Sequence, residues 1–297
     1  MASLALVGAE SILALTPIAI KKTPVDHVTA LWSRILTASA IGYAVSNEKT
    51  ISMSEGGAYS ILGYTNLLHI SSSYEAFRNL PAGQAMSILY TYPLWILLFN
   101  SKINGEPFEF KDYGYISLAT LGAILLNYNP GETVKAVSDE GLPHQGWGLI
   151  TATVAAITEA LMHVILKRLG WTDAGKSVWV VSSSAALWLL AALGLYSLGS
   201  GLPYPKVTGS MHDFWYLTGF HGFSTFAGYY LRFFAIPRLS TITYSVLSFS
   251  GLLASYVYGV FFLKEVPGLI SLLGAALILY SGIYLTVSTS KSKAVLS

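Results

Sequence analysis

Ionisable side chains inside long apolar runs are the residues in this sequence with the clearest capacity for chemistry. Glu10 sits in the run 3–20 and Glu159 in the run 146–166, each seven residues from one end of its run. At 1.5 Å per residue in a helix, that is a depth of about 10 Å. Two carboxylates at one level can share a proton. This predicts proton coupling or recognition of a cationic group, against the alternative that each accepts hydrogen bonds from a neighbouring Ser or Thr. His69 and His221 fall in two further runs, and His163 shares its run with Glu159. Thr65 with His69, and His221 with Thr225, are four residues apart and so share a helix face. The second pair extends as Thr218, His221, Thr225, Gly228, Tyr229 and Arg232, a polar or small stripe at helical spacing. Facing a cavity, such a stripe is natural; facing lipid, it is costly. Arg34 is expected to form a structural ion pair with Glu75, with Arg78 in the same outer cluster.

Other chemistries are poorly supplied. There are no cysteines, so disulfides and thiolate metal sites are excluded. No two histidines stand at i, i+4 or in HExxH, and no Gly-rich phosphate loop is present. Neither a catalytic residue, a metal nor a cofactor is expected. A net charge of +2, with no basic run, makes nucleic acid an unsuitable partner.

The elements that position these residues follow from composition. Of 297 residues, 53% are hydrophobic and 11% charged, against about 25% charged in soluble domains. A soluble core could not enclose so much apolar sequence, whereas each bilayer span takes about 20 such residues. Ten runs satisfy this: 3–20, 28–45, 57–77, 83–99, 112–128, 146–166, 177–198, 213–233, 241–263 and 268–287. Each should be a helix, because backbone groups in hydrocarbon must pair within their own segment or in a closed barrel. The runs are too long and do not alternate as barrel strands would. Residues 129–145 form the longest polar stretch and divide the chain into five spans on either side, 1–128 and 146–297, within one membrane domain. Residues 1–9 lack Lys and Arg, so the first run reads as a retained span rather than a cleaved leader. Basic residues in the short loops, Arg232 included among them, favour the side holding both termini by ten to six, which predicts cytoplasmic termini.

The two parts resemble each other. Pro81 leads to Gly105-Glu106, then Gly114 and Gly122; Pro237 leads to Lys264-Glu265, then Gly274 and Gly282. Leu13-Ala14 with Lys21 parallels Glu159-Ala160 with Lys167. An odd number of spans per part inverts the second relative to the first, the plan of many secondary transporters.

Three stretches carry a family resemblance: LALTPIAIK (13–21) with Arg34 in the next span, AFRNLPAGQAMSILYTYPLWILLF (76–99), and Phe262-Leu263-Lys264-Glu265 followed by GLISLLGAALILYSGIYL (268–285). INGEP and GYISLATLGAILL are the first-half copy of the last stretch. Together they resemble the EamA-type members of the drug/metabolite transporter superfamily, although Leu13 stands where many members have Trp. The resemblance implies an all-α membrane protein of ten helices in two inverted five-helix repeats, around a cavity lined by spans 1, 3, 4, 6, 8 and 9. Tyr90, Tyr92 and Tyr244 would lie on that cavity, and Tyr74 and Tyr229 are similar candidates for an aromatic wall. The function implied is alternating-access export or exchange of a small polar organic metabolite, driven by protons or a counter-substrate. The expected setting is the plasma (inner) membrane rather than an organelle, as a monomer or homodimer in the lipid bilayer. The competing reading is an intramembrane enzyme acting on a lipid-linked or amphipathic substrate.

Overall fold

Proline spacing decides where the first helices break. The computed structural model describes residues 1–80, 82–105, 110–126, 145–200, 210–263, 268–270, 272–281 and 284. Helix α1 (Ala2–Leu13) is followed at once by α2 (Thr16–Lys22), and α5 (Ala82–Leu89) by α6 (Tyr92–Asn104). Proline has no N–H to donate to the carbonyl four residues back, and its ring clashes there. Pro17 therefore ends α1 at Leu13, and Pro93 ends α5 at Leu89, each four positions upstream.

The other elements are α3 (His27–Val45), α4 (Gly56–Asn79), α7 (Phe110–Leu126), α8 (Gln145–Leu169), α9 (Ala174–Ser200), α10 (Met211–Phe220), α11 (Phe226–Ala235), α12 (Thr241–Ser248), α13 (Ser250–Leu263) and α14 (Leu272–Ser281). A π-helical turn at His221–Thr225 joins α10 to α11. The Ser248 hydroxyl donates to the Tyr244 carbonyl at 2.8 Å, a back-bond of the kind that bends helices, just before α12 gives way to α13. Asp26 caps α3 by accepting from the Thr29 N–H at 2.8 Å. Gly105 and Gly170, at φ 66° and 63°, follow the ends of α6 and α8 in the left-handed conformation that glycine takes without strain.

Among the described residues all regular structure is helical. Four helical segments among the described residues are long and apolar enough to cross a membrane: Ala2–Ile20, which runs across the α1–α2 break, His27–Val45, Gly146–Leu169 and Ala174–Ser200. Helix α4, with 24 residues, is long enough but more polar, because its inward face carries Thr65, Asn66, His69 and Ser73, all buried. Leu36, Ile61, Leu187, Leu195 and Phe223 instead point outward and are exposed. That apolar exterior suits lipid and would be a liability in water. The polar stretch 129–145, apart from Gln145, lies outside the described residues, as do Pro81, Glu106, Lys264, Glu265 and Gly282 of the repeat pattern.

Helix α4 packs on α8 and α9, α3 on α9, α1 on α11 and α13, and α6 on α8. Small residues permit the closest approaches. Gly63 of α4 lies directly against Ser184 of α9, and Gly122 of α7 against Gly274 and Ile278.

At one end of the bundle, Lys176 donates to Glu48 at 2.8 Å and to Glu55 at 3.2 Å. The Glu55 carboxylate also accepts from the Ser52 backbone N–H at 2.9 Å. Chiefly that backbone bond, with help from Lys176, lowers the Glu55 pKa from 4.5 to about 2. The folded state therefore favours the ionised form, and the resulting stability is present above pH 4.5 and fades as pH falls towards about 2. Glu55→Gln should flatten the melting temperature against pH in that window. At neutral pH its cost should stay within about 1 kcal/mol, as for other solvated pairs.

Candidate functional site

The break between α5 and α6 points two tyrosines at one carboxylate. Glu10 of α1 is fully buried. Its Oε2 accepts from the Tyr90 hydroxyl and its Oε1 from the Tyr92 hydroxyl, both at 3.3 Å. From the other side comes Arg232 of α11, whose Nε donates to Oε1 at 2.9 Å and Nη2 to Oε2 at 2.7 Å. This two-pronged geometry is the strong form of an Arg–carboxylate pair. The remaining Nη1 of Arg232 donates to Glu159 Oε1 on α8. One guanidinium thus bridges the two acids. The carboxylates lie close together, as their similar depths suggest, but Arg232 stands where a proton shared between them would be.

Glu159 Oε2 faces His69 Nε2 of α4 at 3.3 Å. The other ring nitrogen of His69, Nδ1, lies 3.0 Å from the Ala155 carbonyl oxygen. The Tyr229 hydroxyl is 3.2 Å from Nε2. Tyr229 lies one helical turn before Arg232, so both reach the cluster from one face of α11. The stripe Thr218, His221, Thr225, Tyr229 and Arg232 does turn inward, and its last four members are buried. At its other end His221 Nδ1 is 2.9 Å from the Thr225 hydroxyl, and Nε2 is 3.4 Å from the Tyr74 hydroxyl.

Arg34 belongs to this inner group. Its guanidinium lies over the rings of Tyr229 at 5.0 Å and Tyr74 at 5.8 Å, contacts that gain strength where water is excluded. The expected pair with Glu75 does not form. Glu75 pairs with His27 at 3.0 Å, and Arg78 donates to the Val25 carbonyl at 3.1 Å. His27 opens α3 level with Glu75, whereas Arg34 lies two turns, about 10 Å, further along. His163 and Tyr244 form an adjoining pair with ring centroids 4.0 Å apart, and neither His163 nitrogen has a hydrogen-bond partner.

Of the candidates, Glu10, His69, Tyr90, Tyr92, Glu159 and Tyr229 meet in one cluster. Tyr74 and His221 extend it through Arg34, and His163 with Tyr244 flank it. Arg232 is not among the expected site residues, because its position beside the end of the run 213–233 makes it look like a loop charge. The structure removes it from the loop count, leaving nine against six. Its place on the polar stripe is the signal that could have found it. The core then holds Arg34 and Arg232 against Glu10 and Glu159, an even balance. Among the described residues no group of three or more His, Asp or Glu is placed to hold a metal.

An all-helical bundle with an apolar exterior and charges bridged at its centre is an integral membrane protein. Its fold is similar to that of a solved structure titled only as a crystal structure of a protein. The TM-score is 0.69 at 18% identity, over 95% of this chain and 96% of that one. Residues 1–128 match the model of the EamA-like transporter family. No curated protein matches the chain.

Proposed function

We propose that the protein is a secondary transporter that exports or exchanges a small polar organic metabolite by alternating access, using the cluster around Arg232 as its central site. The observation that carries this reading is the placement of bridged, buried charges where interrupted helices from both parts of the chain converge. Broken helices around a midplane site are the usual construction of such transporters.

Joined across their breaks, α1–α2, α5–α6, α10–α11 and α12–α13 make four spans, and with α3, α4, α7, α8, α9 and α14 the described residues supply ten. Exchanging each span with the one five places on maps the largest contacts onto one another. The α4–α8 contact becomes α11–α1, α6–α8 becomes α13–α1, α4–α9 becomes the α10–α11 span against α3, and α3–α9 maps to itself. All these contacts occur. The fourth and ninth spans are both broken, and the first and sixth both bring a glutamate to Arg232. These correspondences support two inverted repeats, 1–128 and 146–297, joined by the stretch 129–145, and the family match covers the first of them. An enzyme is less well supported, because the family is one of transporters.

The partners of this reading are the lipid bilayer, a small solute, and protons or a counter-substrate, with the protein a monomer or homodimer in the plasma membrane. Protein in liposomes should exchange a labelled metabolite from a panel of amino acids, nucleotide sugars and sugar phosphates. Arg232→Lys, which keeps the charge but not the fork, should fold and lose most of that flux. Undiminished flux would move the pathway elsewhere, and turnover of a lipid without flux would favour the enzyme. Cysteines placed at Ser3 and Ser297 should both label from the cytoplasmic side only; labelling from opposite sides would refute an even span count.

A further inference from the structure

We infer that His69 and Glu159 together hold one exchangeable proton, and that this proton is the coupling ion of the transport proposed above, on which the inference rests.

The tautomer of His69 is fixed by its neighbour. A carbonyl oxygen can only accept, so the 3.0 Å contact from His69 Nδ1 to Ala155 requires the hydrogen on Nδ1. A neutral ring then presents a lone pair at Nε2. Facing it at 3.3 Å is Glu159 Oε2, which has no other partner, since Arg232 is bound to Oε1. With the ring neutral and the carboxylate ionised, two lone pairs oppose each other at a site screened from water, His69 being 5% and Glu159 2% exposed. One proton between them turns that repulsion into a charge-assisted hydrogen bond. The result is the same whether the proton resides mainly on the imidazole or on the carboxyl, because either way one hydrogen lies between Nε2 and Oε2.

The geometry also supplies a second arrangement for the deprotonated pair. The Tyr229 hydroxyl, 3.2 Å from the same nitrogen, can donate to it once the proton has left. The proton therefore decides whether His69 Nε2 bonds Glu159 on α8 or Tyr229 on α11, while Nδ1 stays on the Ala155 carbonyl of α8. Such a two-way link biases a conformational equilibrium only if its two states hold the proton differently, and here they would. The charged and titratable groups facing the pair are Glu10 of α1, Arg34 of α3, Tyr229 and Arg232 of α11, Tyr90 at the α5–α6 break and Tyr244 of α12. With both glutamates ionised the two arginines balance them, so the added proton leaves this core with one net positive charge.

The test counts protons without needing a solute. Detergent-purified protein is shifted between about pH 9 and about pH 5.5, which brackets the ordinary histidine range, and the uptake is read with a pH indicator. Glu159→Gln keeps a donor towards Nε2 without an exchangeable proton, and His69→Gln removes the ring. Each variant should take up about one proton fewer than wild type; equal uptake would overturn the site. Should either variant fail to fold, net uptake and counterflow by wild-type protein in liposomes, with and without a pH gradient, decide the coupling. Net uptake should follow the gradient while counterflow does not. Counterflow with gradient-independent net uptake would refute proton coupling and leave transport standing. Absence of any flux beside an intact proton count would refute transport and leave the proton site standing.

Discussion

Arg232→Ala should destabilise the folded protein by about 3–5 kcal/mol, because it strands two carboxylates in a core that water does not reach. Glu10 would keep only the hydroxyls of Tyr90 and Tyr92, at 3.3 Å each, and would lose both prongs of the guanidinium. Glu159 would lose its cation as well. The measurement is thermal unfolding of the protein in detergent, together with the yield of monodisperse material. Glu10→Gln combined with Glu159→Gln should recover much of the stability lost in Arg232→Ala, since neutral amides need no counter-charge. Arg232→Ala with an unchanged melting temperature would mean that water or lipid headgroups reach the cluster, and that the charges do not support one another.

Gly63→Val should be the most damaging substitution that involves no charge. Gly63 lies where α4 meets α9, and a β-carbon there would collide with the backbone and side chain of Ser184. Backbone cannot step aside as a side-chain tip can, so overpacking should cost about 1–3 kcal/mol or more. Gly57, on the same helix, has nothing within 4 Å of an added β-carbon. Gly57→Ala should therefore be neutral or slightly stabilising, since alanine is the better helix former by about 1 kcal/mol. Equal melting temperatures for the two variants would show that α4 and α9 are not held at this distance.

Helices α3, α8 and α9 were legible in the sequence because their apolar runs are long and uninterrupted. Helix α4 was legible too, although its buried His69, Asn66 and Ser73 lower its mean hydropathy. The breaks at Leu13 and Leu89 were present in the sequence as Pro17 and Pro93, but a reading by hydropathy passes over them, because a one-turn break does not interrupt an apolar run. The π-helical turn at His221–Thr225 has no proline to announce it. The acids of the site were found because a carboxylate in an apolar run is conspicuous wherever it lies. Arg232 is hidden because position near the end of a run suggests a loop charge, and only the helix face it shares with Tyr229 reveals otherwise. Partner choice was the least legible feature. That Glu75 takes His27 rather than Arg34 depends on the relative heights of α3 and α4, and one chain read alone does not give those heights.

The bridge between Glu10 and Arg232 also has a meaning in time. The two residues are 222 positions apart. At roughly 5–20 residues per second, the ribosome delivers the arginine about 10–45 s after the glutamate. Throughout that interval the first helix carries a carboxylate whose burial in lipid costs at least about 2.5–3.5 kcal/mol on insertion scales. Tyr90 and Tyr92 arrive sooner, 80 and 82 residues after Glu10, and offer hydrogen bonds but no charge. The opening segment of this protein therefore enters the membrane as a provisional guest, and its residence becomes secure only when α11 has been made.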